Sequence, residues 1–418
     1  MAKMRLALFA PAITLLVILL LVPASAKAAG KTVYVGGTMS LTGPYAEDSG
    51  ACLAGFEDYV KYVNETKRIS PWNNEKWPAD INVELLWRDD ELKPAKALTI
   101  YEELKTKGML VYRVSGSPIA LALKDRLNED HIGATSITSG PFLLTPPQTI
   151  FTHYPIYTDS LAAVADWFKE HWKENRKPRL AYLTADNAMG KTVEIPEMEA
   201  YLKKEGYEFV GIQYVPLVAT SPPTTQLAWL KQNKVDLALG VMINPGTQPT
   251  IKEAVRLGMG PDREYKITFA VPNTTQMAVF ASKMGELGNG YVSCGSFPPY
   301  DETTTPGVAW CNELQKRYRP GKPVANNVYM GGIIEVMTQV EALRLALKEA
   351  SLEKLKPADV IRNGFYKIKN LDTGGLSSTP LTYGPSKVEG ADGVRVDQIQ
   401  KGKIVKLGVW PCHHIYSK

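Results

Sequence analysis

From Val33 onward, short apolar runs alternate with stretches whose apolar residues return at helical spacing. Val33, Tyr34 and Val35 form a β-rich run before Gly36-Gly37. Cys52, Phe56, Tyr59 or Val60, and Val63 then recur on one helix face. The pattern repeats with strands at Ile81–Trp87, Met109–Val114 and Ile132–Ile137. Between them lie a helix opened by Pro94 and running to Lys107, and another ending about Glu129. After Thr158 the alternation starts again. Asp159–Glu174 carries Leu161, Val164, Ala165 and Phe168 on one face, and strands follow at Arg179–Thr184, Phe209–Val215, Val235–Val241 and Lys266–Val271. Two successive βα series predict an α/β chain of two doubly wound lobes, each with a mostly parallel sheet.

The last third departs from this rhythm. Asn327–Ala350 reads as one long helix, expected to pack under the first lobe. Beyond Leu371, glycines punctuate short strands at Val394–Ile399 and Ile404–Val409, a β tail for the edge of one lobe. No internal repeat or low-complexity tract occurs.

In open α/β sheets, ligands sit beyond the carboxyl ends of the strands. Three loops there are rich in hydroxyls: Ser40 to Tyr45, Ser115-Gly116-Ser117-Pro118, and Thr138-Ser139-Gly140-Pro141. In the second, Ser117 is placed as N-cap with Pro118 in the first helical turn, which leaves backbone N–H groups and a helix dipole for a carboxylate.

Composition adds the compartment. The first 28 residues read as a cleaved secretory signal: Lys3 and Arg5, an apolar run from Leu6 to Val22, then small residues at Ala24-Ser25-Ala26 or Ala26-Lys27-Ala28. The rest is expected to be soluble and exported to the periplasm. The net charge of +5 over 418 residues, 44% of them hydrophobic, is too balanced for a nucleic-acid binder. Four cysteines fit an oxidising compartment, and Cys294–Cys311 is the preferred disulfide because both fall in one local segment. With no Cys-x-x-Cys, and no further ligands at usable spacing for Cys412-His413-His414, neither metal nor cofactor is expected.

The stretch Val35-Gly36-Gly37-Thr38-Met39-Ser40-Leu41-Thr42-Gly43-Pro44-Tyr45 resembles the first strand and loop of the Leu/Ile/Val-binding type of periplasmic binding protein, the receptor of an ABC importer. The likeness continues in order through Arg88-Asp89-Asp90, Ser115-Gly116-Ser117, Asp186-Asn187-Ala188-Met189-Gly190, Asn244-Pro245, Val328-Tyr329 and Pro380-Leu381-Thr382-Tyr383-Gly384. It implies a type I periplasmic-binding fold with three hinge crossings. The implied division is 1–28 signal peptide, 29–158 and 290–378 lobe one, 159–289 lobe two, and 379–418 its β tail. Partners would be a small-molecule ligand and membrane permease subunits with their ATPase, the receptor itself being a monomer.

By the same resemblance, Ser115, Ser117, the main chain of Ile137 and the hydroxyl of Ser139 are ligand candidates. Tyr45 is expected at the cleft mouth, and Met189 falls where the family often has an aromatic residue. Two matched positions depart from the amino-acid receptors: Asn273 replaces the acidic partner of the ligand ammonium, and Asn244 replaces an aromatic residue. A buried cation without a partner is costly. The expected solute is therefore an amide, a urea-like compound or an aromatic or aliphatic acid, in place of a zwitterion. Trp72 and Trp77 are expected to cover the surface away from the crevice, Asp89 and Asp90 to terminate a strand, and Tyr329 to pack in the core. An enzyme is not supported: no dinucleotide fingerprint, phosphate loop or nucleophile elbow is present, and none of the five histidines stands in a triad context. A soluble partner for a separate sensor is the alternative reading.

Overall fold

A computed structural model describes residues 30–144, 149–272, 277–322 and 326–416. The leader expected at 1–28 lies outside them.

The first sheet is formed by β1 (Lys31–Met39), β2 (Ile81–Asp89), β3 (Val111–Val114), β4 (Gly133–Ser136) and β5 (Ile150–Thr152). All pairings are parallel, in the order β2-β1-β3-β4-β5. Its crossover helices are α1 (Ala46–Thr66), α2 (Pro94–Thr106) and α3 (Gly116–Glu129). The second sheet takes β6 (Arg179–Ala185), β7 (Glu208–Val215), β8 (Leu237–Leu239), β9 (Thr268–Pro272) and β10 (Val292–Gly295). Helices α4 (Tyr157–Glu170), α5 (Pro196–Lys204), α6 (Thr224–Gln232), α7 (Asn244–Arg256) and α8 (Met277–Met284) accompany it. After α9 (Pro306–Tyr318) and α10 (Asn327–Ala346), the hairpin β11 (Gly393–Gln400) and β12 (Lys403–Pro411) extends the second sheet antiparallel, in the order β12-β11-β10-β9-β8-β6-β7. The β tail is thus an edge extension of one lobe.

Strand order reverses between β1 and β3 in the first sheet and between β6 and β8 in the second. Such reversals part the flanking loops and open a crevice at the carboxyl ends.

Each sheet has its own buried core. The chain passes from one to the other between Ile156 and Tyr157, and returns between Cys294 and Phe297. It leaves again between Ala391 and Val394. The return comes after the expected Gly290, because β10 pairs with β9. The last passage comes after the expected Thr379, because Leu381, Tyr383 and Val388 pack in the first core.

Helix α10 is buried on almost every face; most of its residues are apolar, and its buried Glu335, Gln339 and Arg344 are paired with Arg113, the Tyr112 carbonyl and Glu341. Asn326 caps it, its side-chain oxygen accepting from the N–H groups of Val328 and Tyr329. It presses against α1 through two glycines. A Cβ on Gly332 would stand 2.3 Å from the Cys52 carbonyl oxygen, and one on Gly55 would stand 2.2 Å from that of Tyr329. Tyr329 is core, its hydroxyl 3.0 Å from Asp58.

Two expectations are corrected. Trp77 is 2% exposed, and its indole N–H donates to the Ile81 carbonyl, so it plugs the first core and covers no surface. Trp72 stands edge-on to Trp310 and donates to the Asp372 carbonyl. All four cysteines are free thiols. Cys294 lies in β10 of the second core and Cys311 in α9 of the first, so the chain's return crossing separates the expected pair.

Candidate functional site

Between the two cores lies a cavity of about 80 Å³. The loop after β1 and the start of α1 contribute Tyr45, Asp48, Ser49 and Cys52. From β3 and the start of α3 come Arg113, Gly116 and Ser117, and from the loop after β4 come Ile137 and Thr138. The first crossing supplies Tyr154, Pro155, Tyr157 and Ser160. The second core supplies Met189 and Ile243, the ends of β9 and β10 supply Pro272 and Gly295, and Val328 comes from the start of α10.

The amino ends of α1, α3, α4, α7 and α10 therefore all meet this cavity. Each brings N–H groups without intrahelical partners and the positive end of a dipole. The wall between them is aromatic and aliphatic, studded with hydroxyls.

Gly116 has φ +60°, a conformation open to glycine, and α3 begins there with Ser115 as its N-cap. That corrects the expected cap at Ser117. The Ser117 hydroxyl instead meets Thr138 Oγ1 at 2.5 Å, bridging the loops after β3 and β4. Burial pushes the Tyr157 phenol up, and a hydrogen bond with Thr138 pulls it back.

The charged wall groups are Arg113 and Asp48. Arg113 is 2% exposed. It donates to Glu335 Oε2 at 3.1 Å and to the Thr38 carbonyl at 2.9 Å. Burial pushes the adjacent Cys52 thiol up to about 12, so it stays neutral. Asp48 is half-buried at the rim and already engaged in an interaction.

Tyr45 belongs to a loop of the first lobe yet packs in the second core, its hydroxyl 3.7 Å from the Met189 sulfur. These two residues join the lobes directly.

Of the eight residues singled out from the sequence, Tyr45, Ser117, Ile137 and Met189 share this cavity wall. Ser115 does not line it. Its hydroxyl donates to buried Asp90, which also accepts from Ser40 Oγ at 2.7 Å and the Leu92 N–H at 2.8 Å. Asp89 accepts from the Leu41 N–H and the Thr42 hydroxyl, so the acid pair braces the loop after β1. Ser139 is also off the wall: its hydroxyl meets Thr152 at 3.0 Å and its carbonyl accepts the Tyr157 N–H. Asn244 opens α7 beside a neighbouring depression shared with Pro44, Glu47, Asp48, Gln248 and Lys283. Asn273 lies outside the described residues.

Sequence reading missed Asp48, Arg113, Tyr154, Tyr157 and Ser160. The available signal was position: Asp48 and Ser160 stand in first helical turns, and the tyrosines bracket the first crossing.

The profile of the periplasmic binding protein family matches residues 32–397. No curated protein matches significantly. Among solved structures, a branched chain amino acid ABC transporter from Thermus thermophilus with bound valine is similar at TM-score 0.80 and 19% identity, covering 93% of this chain and 98% of that one. A fatty acid ABC transporter substrate-binding protein from Thermomonospora curvata gives 0.74 and 17%, over 92% and 94% of the two chains. A solute binding protein of an ABC transporter from Rhodopseudomonas palustris BisB5, in complex with 3,4-dihydroxy benzoic acid, gives 0.71 and 17%, over 91% and 98%. At these identities the likeness shows the fold. Among the described residues, no helix is long and apolar enough to cross a membrane.

Proposed function

The chain belongs to the periplasmic binding protein family, and from that premise we propose that it captures a small organic acid between its lobes and hands it to the permease of an ABC importer. The observation that carries this reading is the cavity with walls from both lobes, onto which five helix amino ends converge. A carboxylate there would sit in the positive field of the helix dipoles and take hydrogen bonds from first-turn N–H groups other than those of Tyr157, Val328 and Tyr329, which are already engaged. In the Ser117–Thr138 pair one hydroxyl donates to the other, and the remaining O–H would donate to the ligand from the first lobe. Tyr45, Met189 and Ile243 would close over the hydrocarbon.

The wall offers little for an ammonium group. Asp48 is its one carboxylate among the described residues and is already engaged. The position matched to the receptors' acidic residue is Asn273. Of the similar structures, one carries valine, one a dihydroxybenzoic acid and one is named for fatty acids, so the fold takes acids with and without an amine, and the choice between them rests on the wall residues. Ligand contact with both walls favours the closed arrangement, and that arrangement is the form a permease would read.

The test is calorimetric titration with small aromatic and aliphatic acids, their amides, and leucine and valine. Binding of an acid, with its amide at least about tenfold weaker, is expected, since hydrogen bonds to a charged group contribute about 1.5–3 kcal/mol. Tight binding of leucine or valine, or of an amide in preference to its acid, would overturn the assignment. Ser117→Ala should weaken the best acid by about 10–100-fold on the same grounds.

A further inference from the structure

A second cluster of chemically capable side chains lies outside the cavity, where the hinge crossings meet the chain's carboxyl end. Asp159 follows the first crossing and Glu389 precedes the third. Cys412 and His414 come from the tail after β12, which folds back over the start of α4. One ligand atom each from Asp159, Glu389 and Cys412 lie within 4.8 Å of one another. His414 Nδ1 stands 3.5 Å from Glu389 Oε2.

The backbone holds these groups in place. Both Asp159 oxygens accept N–H groups, from His414 and Ile415, at 2.9 Å. Glu389 Oε1 accepts the Ile156 N–H at 2.9 Å, across the first crossing. Glu389 Oε2 points the other way, toward the thiol and the imidazole. It is buried and makes no close hydrogen bond, its nearest ring nitrogen being His414 Nδ1 at 3.5 Å. Glu389 is 2% exposed, so water does not solvate that oxygen. Two neighbouring carboxylates out of water, one with an oxygen that no backbone N–H reaches, call for a proton or a cation between them. The surrounding donors are oxygen, sulfur and nitrogen, and the sulfur and nitrogen suit a borderline-soft metal far better than magnesium or calcium.

We propose that Asp159, Glu389, Cys412 and His414 form a binding site for one zinc-class divalent cation at the hinge. Zinc bonds of roughly 2.0–2.3 Å put tetrahedral donors about 3.5 Å apart. The Asp159, Glu389 and Cys412 donors already stand within 4.8 Å of one another, and half-exposed His414 lies 3.5 Å from Glu389 on the open side. On binding, the thiol gives up its proton to solvent, and the metal replaces it on sulfur. The bound ion would tie the first crossing, the third crossing and the tail into one unit. This site is independent of the nature of the solute.

The test uses the full protein stripped with a chelator and titrated with zinc chloride, then with cobalt chloride as an optical probe. Expected are one zinc per chain and a near-ultraviolet sulfur-to-cobalt charge-transfer band. Cys412→Ser should abolish that band, and Glu389→Gln should weaken zinc by more than about 10–100-fold, the loss seen for outer-shell partners alone. His413→Gln is the control: it is adjacent in the chain but pairs with Asp166 at 2.6 Å, and its zinc affinity should stay at the wild-type value. Melting curves in chelator establish that each variant is folded. Absence of saturable zinc binding at micromolar concentrations overturns the site. So does zinc binding that both folded variants leave unchanged, or that only His413→Gln removes.

Discussion

His153 makes the protein lose stability in acid, and one substitution should remove that loss. The residue is 2% exposed, with its ring 4.3 Å from that of Tyr154 and 5.5 Å from that of Phe297, and its Nε2 has no hydrogen-bond partner. Burial, with help from the Arg113 charge, lowers its pKa from 6.5 to about 3. Below the unfolded pKa, the unfolded chain takes up a proton that the folded chain refuses. Stability from this group is therefore complete above pH 6.5 and falls as pH drops toward 3. At pH 5 the gap is about 1.5 units, or ~2 kcal/mol at 1.36 kcal/mol per unit. At pH 7.5 the same term is close to zero. His153→Phe keeps an aromatic ring in the aromatic cluster and strands no polar partner. Its packing cost is common to both pH values and cancels in the difference. Urea unfolding followed by tryptophan fluorescence should show the variant gaining about 2 kcal/mol on wild type between pH 7.5 and pH 5. A difference that does not change with pH would refute the reasoning.

Other parts of the structure are open to similar tests. Gly332→Ala sets a methyl group against the Cys52 carbonyl and should cost about 1–3 kcal/mol or more by forcing α1 and α10 apart, readable as a lower urea midpoint; an unchanged midpoint would contradict the close helix contact. Tyr45→Ala removes the contact with Met189 and should shift the ligand-free protein toward an open form, seen as a larger radius of gyration in solution scattering. Thiol titration without reductant should count four free cysteines after unfolding in chelator and none of Cys52, Cys294 or Cys311 before it; two missing thiols would restore a disulfide.

The βα alternation was legible because strands such as Ile81–Asp89 and helices such as α1 carry their period openly. Strands β5 and β10 went unseen although β3, β4 and β8 are just as short; what makes them strands is parallel pairing with β4 and β9, which the local pattern does not carry. The Ser115 and Ser117 hydroxyls look alike in sequence. They part company because Asp90, buried beneath the loop, takes one as its donor, while Gly116 turns the chain and sends the other to Thr138. The cavity tyrosines escaped notice because Tyr154 and Tyr157 have a role only where two cores meet. Hydrophobic pattern reports on each core alone.

The order in which the chain builds its cores bears on its synthesis. The first sheet has all its strands by Thr152, yet its central helix arrives only at Asn327–Ala346, after the whole parallel part of the second sheet. The second sheet in turn waits for a hairpin ending at Pro411. A nascent polypeptide on the ribosome thus carries two unfinished halves at once: the first core is complete only at Ala391, and the second only once Val394 to Ile415 have followed. Such a molecule stays threadable until late, as export through a narrow channel before folding would require.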